Sequence, residues 1–249
     1  MLCLWRRFPR WLSTSEVPPA ACCLWSCHRL APTDRKHAVS TGVFITEIAD
    51  PQNAPKARFV ELHSPSGGLL TGLKLAHWEG GNTSYSELDL TGFGIPVGGF
   101  FVICSDKETF DRIYHPVTCD LDAGSGGPAD SDGNDQLAIM DAAGAIIDVF
   151  GVPGEDGAGS AHYFGGGRAE RKPGDLLAPR DSWGSFTDWD VDNDIFEGLT
   201  YSELIDINQN QGDGPQSAPS DFDPKSWIGK SPLPCRCPLD QSPHHEVLR

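Results

Sequence analysis

The chain has little of what marks a membrane-spanning, nucleic-acid-binding or repeat protein. No apolar run approaches the roughly 18 residues that cross a bilayer, which argues against an integral membrane protein. Lysine and arginine number only 19 against 35 aspartate and glutamate, a formal charge of −16. Binding to a phosphate backbone needs clustered basic side chains, so no nucleic-acid partner is expected. An acidic surplus serves solubility more often than recognition. No internal repeat of about 20–50 residues is visible, which counts against propellers and solenoids. No Gly-x-Ser-x-Gly elbow marks a serine hydrolase. Neither Cys22-Cys23-x-x-x-Cys27-His28 nor Cys235-x-Cys237 has the second matched pair that a zinc site requires.

What the chain does have is turn chemistry and short apolar runs. Apolar residues make up 39%, enough for an ordinary core, while 28 glycines and 20 prolines favour many turns and few helices. Strands are expected at 43–48, 58–62, 73–78, 85–90 and 98–104, separated by Gly, Pro and Asn clusters. The stretch Asp135–Phe150 reads as strand, turn, strand: Leu137 and Ile139, then Ile147 and Val149, alternate across the reversal Asp141-Ala-Ala-Gly144. Between Asp106 and Tyr114 a two-turn surface helix places Phe110, Ile113 and Tyr114 on one face. Further strands are expected near Ala161–Phe164 and Arg168–Arg171. Strands at such intervals predict an all-β sandwich with one short helix and long loops. The expected core includes Phe59, Leu62, Leu75, Phe101, Ile103, Leu137, Ile139 and Val149.

The ends differ from the body. Residues 1–37 hold Arg6, Arg7, Arg10, Arg29, Arg35 and Lys36 against Glu16 and Asp34, so a basic leader precedes an acidic domain. Residues 1–42 are therefore expected to be a targeting or disordered leader, 43–229 the domain with a C-terminal extension, and 230–249 a disordered tail. A secretory signal, an organelle presequence and a misplaced gene start all remain open for the leader. Within the extension, Phe222 and Trp227 are expected to fold back over the sandwich, since isolated aromatic rings are seldom left in water. Cys104 and Cys119 alone fall inside the patterned region, at a spacing that suits a disulfide, with two unrelated thiols as the alternative. A bridge would imply secretion; without it an organelle or intracellular location is favoured.

Three runs together resemble the opening of the lamin tail domain: Ile45-Thr-Glu-Ile48, Phe59-Val-Glu-Leu62, and Leu70-Thr-Gly-Leu-Lys-Leu75. Gly99-Phe-Phe-Val-Ile103 and the Asp135–Phe150 hairpin resemble its later strands. One departure is Leu73, where that family usually has tryptophan. No heptads precede the domain, so the coiled-coil rod of the lamins is absent. The chain thus looks like the stand-alone type, similar to modules appended to secreted microbial proteins, including nucleases. The resemblance implies an immunoglobulin-like sandwich with a binding or spacer role and supplies no catalytic residues.

The sharpest chemical feature is Asp130-Ser-Asp-Gly-Asn-Asp135, with Asp120 and Asp122 nearby. Calcium takes six to eight oxygens; Asp130, Asp132 and Asn134 match the first three ligand positions of an EF-type loop, and Asp141 stands at the twelfth in place of the usual bidentate glutamate. Gly133 falls too early and Asp135 sits where that loop needs glycine, so a solvated Asx-rich turn is the competing reading. A second run, Asp188 to Asp194, would place alternate aspartates on one strand face with Trp189 and Val191 in the core. His162, Arg168, Arg171 and Gly165–Gly167 suggest an anion cradle, but no Lys-Ser/Thr follows. The eight histidines form no metal-ligand pattern. The leading expectation is a non-enzymatic module that contacts protein or glycan through its loops. A metal-dependent hydrolase using the acidic loops is the second, and a nuclear-envelope role the third.

Overall fold

The computed structural model describes residues 42–172, 179–184, 188–194 and 214–226. In chain order its strands are β1 (Phe44–Ala49), β2 (Phe59–Ser64), β3 (Gly68–Leu69), β4 (Lys74–Trp78), β5 (Ser86–Asp89), β6 (Gly94–Ile95) and β7 (Gly99–Cys104). The helix α1 (Lys107–Ile113) follows, then β8 (Leu121–Asp122), β9 (Gln136–Met140), β10 (Ile146–Phe150), β11 (Arg168–Arg171) and β12 (Trp189–Asp192). Six strands form one sheet in the order β12-β11-β1-β2-β7-β8, and four form another in the order β10-β9-β4-β5. All pairings in these two sheets are antiparallel except β7 with β8. The protein is an all-β sandwich with a single short helix among the described residues. No described helix is long and apolar enough to cross a membrane.

Period-2 alternation explains how the sheets meet. Val60, Leu62, Phe101, Ile103, Ala169, Trp189 and Val191 of the larger sheet pack against Leu75, Leu137, Ile139 and Phe150 of the smaller. The opposite face of the larger sheet is covered as well. There Phe59, Val102 and Cys104 pack with Phe110, Tyr114, Cys119 and Phe222. Helix α1 is started by Asp106, whose carboxylate accepts the Thr109 N–H at 2.8 Å. Cys104 and Cys119 are joined in a disulfide with Cα atoms 6.0 Å apart. This bridge returns the chain from α1 to β7, where Asp120 exchanges backbone and side-chain hydrogen bonds with Val102.

The extension behaves as its aromatic content suggests: Phe222 lies 6.3 Å, centroid to centroid, from both Phe59 and Tyr114. Trp227, the leader and the tail lie outside the described residues.

One expected strand needs correction, and two of the expected core residues, both buried, belong to clusters other than the one between the sheets. Ala161–Phe164 forms turns rather than a strand, because its groups bond to other loops: the Phe164 N–H donates to the Gly133 carbonyl at 2.9 Å. Phe59 is buried, but in the outer cluster under α1 rather than between the sheets. Val149 also lies outside the inter-sheet core, on the outer face of the smaller sheet with Ala76, Trp78, Ala138 and Met140. The cause is a register shift between Ile146 and Asp148, which turns Asp148 and Phe150 inward. Phe150→Ala should therefore cost about 3–5 kcal/mol, and Val149→Ala distinctly less. Chemical denaturation of the two variants checks this; equal costs would show that the inward and outward faces of β10 are misassigned.

Candidate functional site

The alternation that builds the core also builds a polar cleft at one end of the sandwich. His77 lies two residues beyond the core residue Leu75 on β4, and Asp135 two residues before Leu137 on β9. Both side chains therefore point to the inner face where the apolar core ends, and because His77 pairs with Leu137 they are diagonal neighbours. His77 Nε2 lies 2.9 Å from Asp135 Oδ2, with both residues almost fully buried. Asp135 is also held by the Gly80 N–H at 2.8 Å and the Asp132 N–H at 3.2 Å. With its amide turned to donate, Asn134 reaches Asp132 Oδ1 at 2.8 Å and Asp135 Oδ1 at 2.9 Å. Burial pushes the Asp135 carboxyl up, but His77, the Gly80 N–H and Ser131 outweigh it and hold the group below the ordinary aspartate range.

A cleft of about 350 Å³ opens above this pair. The β4–β5 turn contributes Glu79, Asn82, Ser84 and Tyr85, the start of β5 contributes Ser86, and the acidic loop contributes Gly126, Asp130 and Asp132. Tyr85 is 43% exposed and rests on Trp78 at 4.9 Å between ring centroids. Ser86 lies directly opposite His77 across the strand pair, with its Oγ 3.5 Å from His77 Nδ1.

The four expected calcium ligands do not converge. Asp130 spends one oxygen on Arg58, at 3.1 Å, and the other on the Gly126 N–H, at 2.7 Å, and the Ser125 hydroxyl. Arg58 in turn binds Asp50 at 2.7 Å, so Asp130 ties the acidic loop to the junction of β1 and β2. Asp130 and Asp132 line the cleft, and Asn134 bonds to two of its residues, Asp132 and Asp135. Asp141, however, sits beyond β9, roughly 20 Å along the strand at about 3.3 Å per residue. There it accepts the Ala143 and Ala145 N–H groups, each at 2.9 Å, and caps the hairpin turn. Among the described residues no three His, Cys, Asp or Glu side chains are grouped to hold a metal ion. Asp120 is likewise engaged, by the Val102 N–H and Lys225, and Asp122 by the Gly124 N–H.

No family model matches the chain, and no curated protein matches it.

The other suggested sites serve the fold. Trp189 and Val191 point into the core, while the aspartates around them pair with neighbouring cations: Asp190 with Lys172 at 3.0 Å, Asp192 with Arg168 at 3.4 Å and Asp188 with Arg180 at 3.3 Å. His162 stacks edge-on against Phe150 and Trp183, and Ser160 Oγ lies 3.0 Å from its Nδ1. Burial pushes the His162 imidazolium down, so the ring is a neutral packing element. Gly133 is required by contact rather than by metal geometry: at φ 101° a Cβ there would lie 2.1 Å from the Gly165 nitrogen.

The cleft residues missed in the sequence were His77, Glu79, Tyr85 and Ser86. Extending the alternation outward from Leu75 and Leu137 would have found the His77–Asp135 pair. Gly133→Ala should destabilise the domain by about 1–3 kcal/mol through overpacking. A melting curve checks this; an unchanged midpoint would mean that the acidic loop does not rest on Gly165.

Proposed function

We propose that this chain is a non-enzymatic, lamin-tail-like binding module with an immunoglobulin-like sandwich, which recognises a protein partner through the cleft above His77 and Asp135. The observation that carries the reading is the composition of the cleft. Glu79 and Asp132 are exposed carboxylates beside an exposed tyrosine ring, and the lining contains no lysine or arginine. Carboxylates beside an aromatic face suit a lysine or arginine side chain, which gains an ion pair and a cation–π contact together. A glycan, held by stacking and hydroxyl contacts, is the competing ligand. The Cys104–Cys119 bridge supports an oxidising, extracellular setting.

The test is to probe peptide and glycan arrays with the intact chain and its Glu79→Gln, Asp132→Asn and Tyr85→Ala variants. Basic peptides should be retained by the wild type, lose about tenfold in affinity in each carboxylate variant, and weaken with salt as screened charges do. Selective binding of neutral glycans would move the reading to carbohydrate, and binding unaffected by the three variants would remove the cleft from it.

A hydrolase is the second reading, favoured by one observation: His77 stands between Ser86 Oγ, 3.5 Å from its Nδ1, and Asp135 Oδ2, 2.9 Å from its Nε2. Hydrogen bonds of such a triad are often long without substrate. Labelling of Ser86 by a fluorophosphonate, lost in His77→Ala, would support it. The absence of labelling in the folded chain would leave Ser86 as a cross-strand polar partner of His77.

A further inference from the structure

On the outer face of the larger sheet, three glutamates stand side by side on adjacent strands. Glu47 on β1 is paired in register with Glu61 on β2 and with Glu170 on β11. All three are buried, at 2%, 0% and 3% exposure. Like charges directly opposite one another across strands repel, and burial deepens the cost. Among the described residues, Arg168 brings a guanidinium to this face. Arg168 lies 3.2 Å from Glu170, 3.4 Å from Asp192, 3.6 Å from Asp223 and 3.9 Å from Glu47. Glu61 accepts the Thr46 hydroxyl at 2.7 Å and the Lys225 N–H. Among the described residues Glu47 Oε1 has no hydrogen-bond partner, and neither has the buried Tyr114 hydroxyl, whose ionisation Glu47 opposes.

What covers this face is the segment 214–226. Phe222 sits on Phe59 and Tyr114, and Asp223 brings a further carboxyl towards Glu47. Lys225 anchors to Asp120 at 2.8 Å and donates its N–H to Glu61. To do so it adopts φ 64°, the only described non-glycine residue with positive φ. A left-handed lysine costs free energy and persists only where its surroundings hold it.

We infer that Glu47 is a proton-operated latch: with its proton in place, residues 214–226 pack over β1 and β2, and its ionisation releases them and uncovers the aromatic floor of Phe59, Phe110 and Tyr114. The groups facing Glu47 are Glu61 on β2, Arg168 and Glu170 on β11, Asp223 on the covering segment and Tyr114 on α1. Burial pushes Glu47 well above the ordinary glutamate range, Glu61, Asp223 and Glu170 push it further, and Arg168 alone opposes them. Burial raises Asp223 as well, so both sides of the contact hold protons more tightly when docked. Docking therefore strengthens as pH falls, and weakens as pH rises from the ordinary glutamate range through the midpoint of Glu47.

The test is hydrogen–deuterium exchange on the intact chain across mildly acidic to mildly alkaline pH, with rates normalised for intrinsic chemical exchange. Protection of 214–226 should fall by up to about tenfold for each pH unit between the released and docked midpoints, while β2 and β7 amides hold steady. Glu47→Gln, which imitates the protonated side chain, should keep the segment protected throughout. Carbon-13 titration of the Glu47 carboxyl in the wild type gives a second reading that needs no variant, and its midpoint should coincide with the loss of protection. Protection independent of pH, loss shared by β2 and β7, or Glu47 titrating in the ordinary carboxylate range would each overturn the latch.

Discussion

One ion pair buried between the two sheets ties β1, β10 and β11 together. Asp148 on β10 and Arg171 on β11 are 0% and 1% exposed, with Arg171 Nη2 2.7 and 2.8 Å from the two carboxylate oxygens. β1 bonds to both groups: the Ile45 N–H donates to Asp148 at 2.8 Å, and Arg171 Nε donates to the Ile45 carbonyl at 2.7 Å. The Arg180 N–H adds another donor to Asp148. The guanidinium lies over the rings of Phe44 and Trp189, at 5.4 and 4.6 Å. Burial pushes the Asp148 carboxyl up and the Arg171 guanidinium down, and their pairing works against both shifts. A buried pair repays its desolvation only when further hydrogen bonds satisfy it, which is the condition met here.

That pair sets the geometry around it. β1 departs from regular register between Ile45 and Glu47, beside the backbone groups that bind the pair. β10 shifts between Ile146 and Asp148, at the carboxylate itself. Both irregularities turn backbone or side chain towards the ion pair, and both decide what lies farther along the strand. On β1 the shift sends Glu47 outward into the row with Glu61 and Glu170. On β10 it sends Phe150 inward, against Trp183 and Trp189 at 4.9 Å each. The outer carboxyl row is thus tied to the same bulge that satisfies the inner charge pair.

Much of the fold was legible because local signals agreed with the tertiary outcome. The face shared by Phe110, Ile113 and Tyr114 located α1, turn residues bounded the strands, and Cys104 and Cys119 marked the short bridged loop. What could not be read were the places where a polar residue points inward. Alternation assigns Asp148 to solvent, and only a partner distant in sequence, Arg171, reverses that choice. Asp141 fits a ligand position by its spacing from Asp130, yet an extended strand carries it away. His77 and Asp135 looked like the ends of apolar runs, and they become a pair only once the pairing of β4 with β9 is known. Sequence spacing measured residues along the chain, while the site depends on register across strands.

The most direct test of this account is a double-mutant cycle on the central pair, with Asp148→Leu and Arg171→Met made singly and together and the unfolding free energy measured. Each single change leaves a buried charge without its partner and should cost about 3–5 kcal/mol, while the apolar double replacement should cost less than the two singles combined by several kcal/mol. Single losses below about 1 kcal/mol, or strictly additive costs, would contradict the claim that this pair holds the two sheets together.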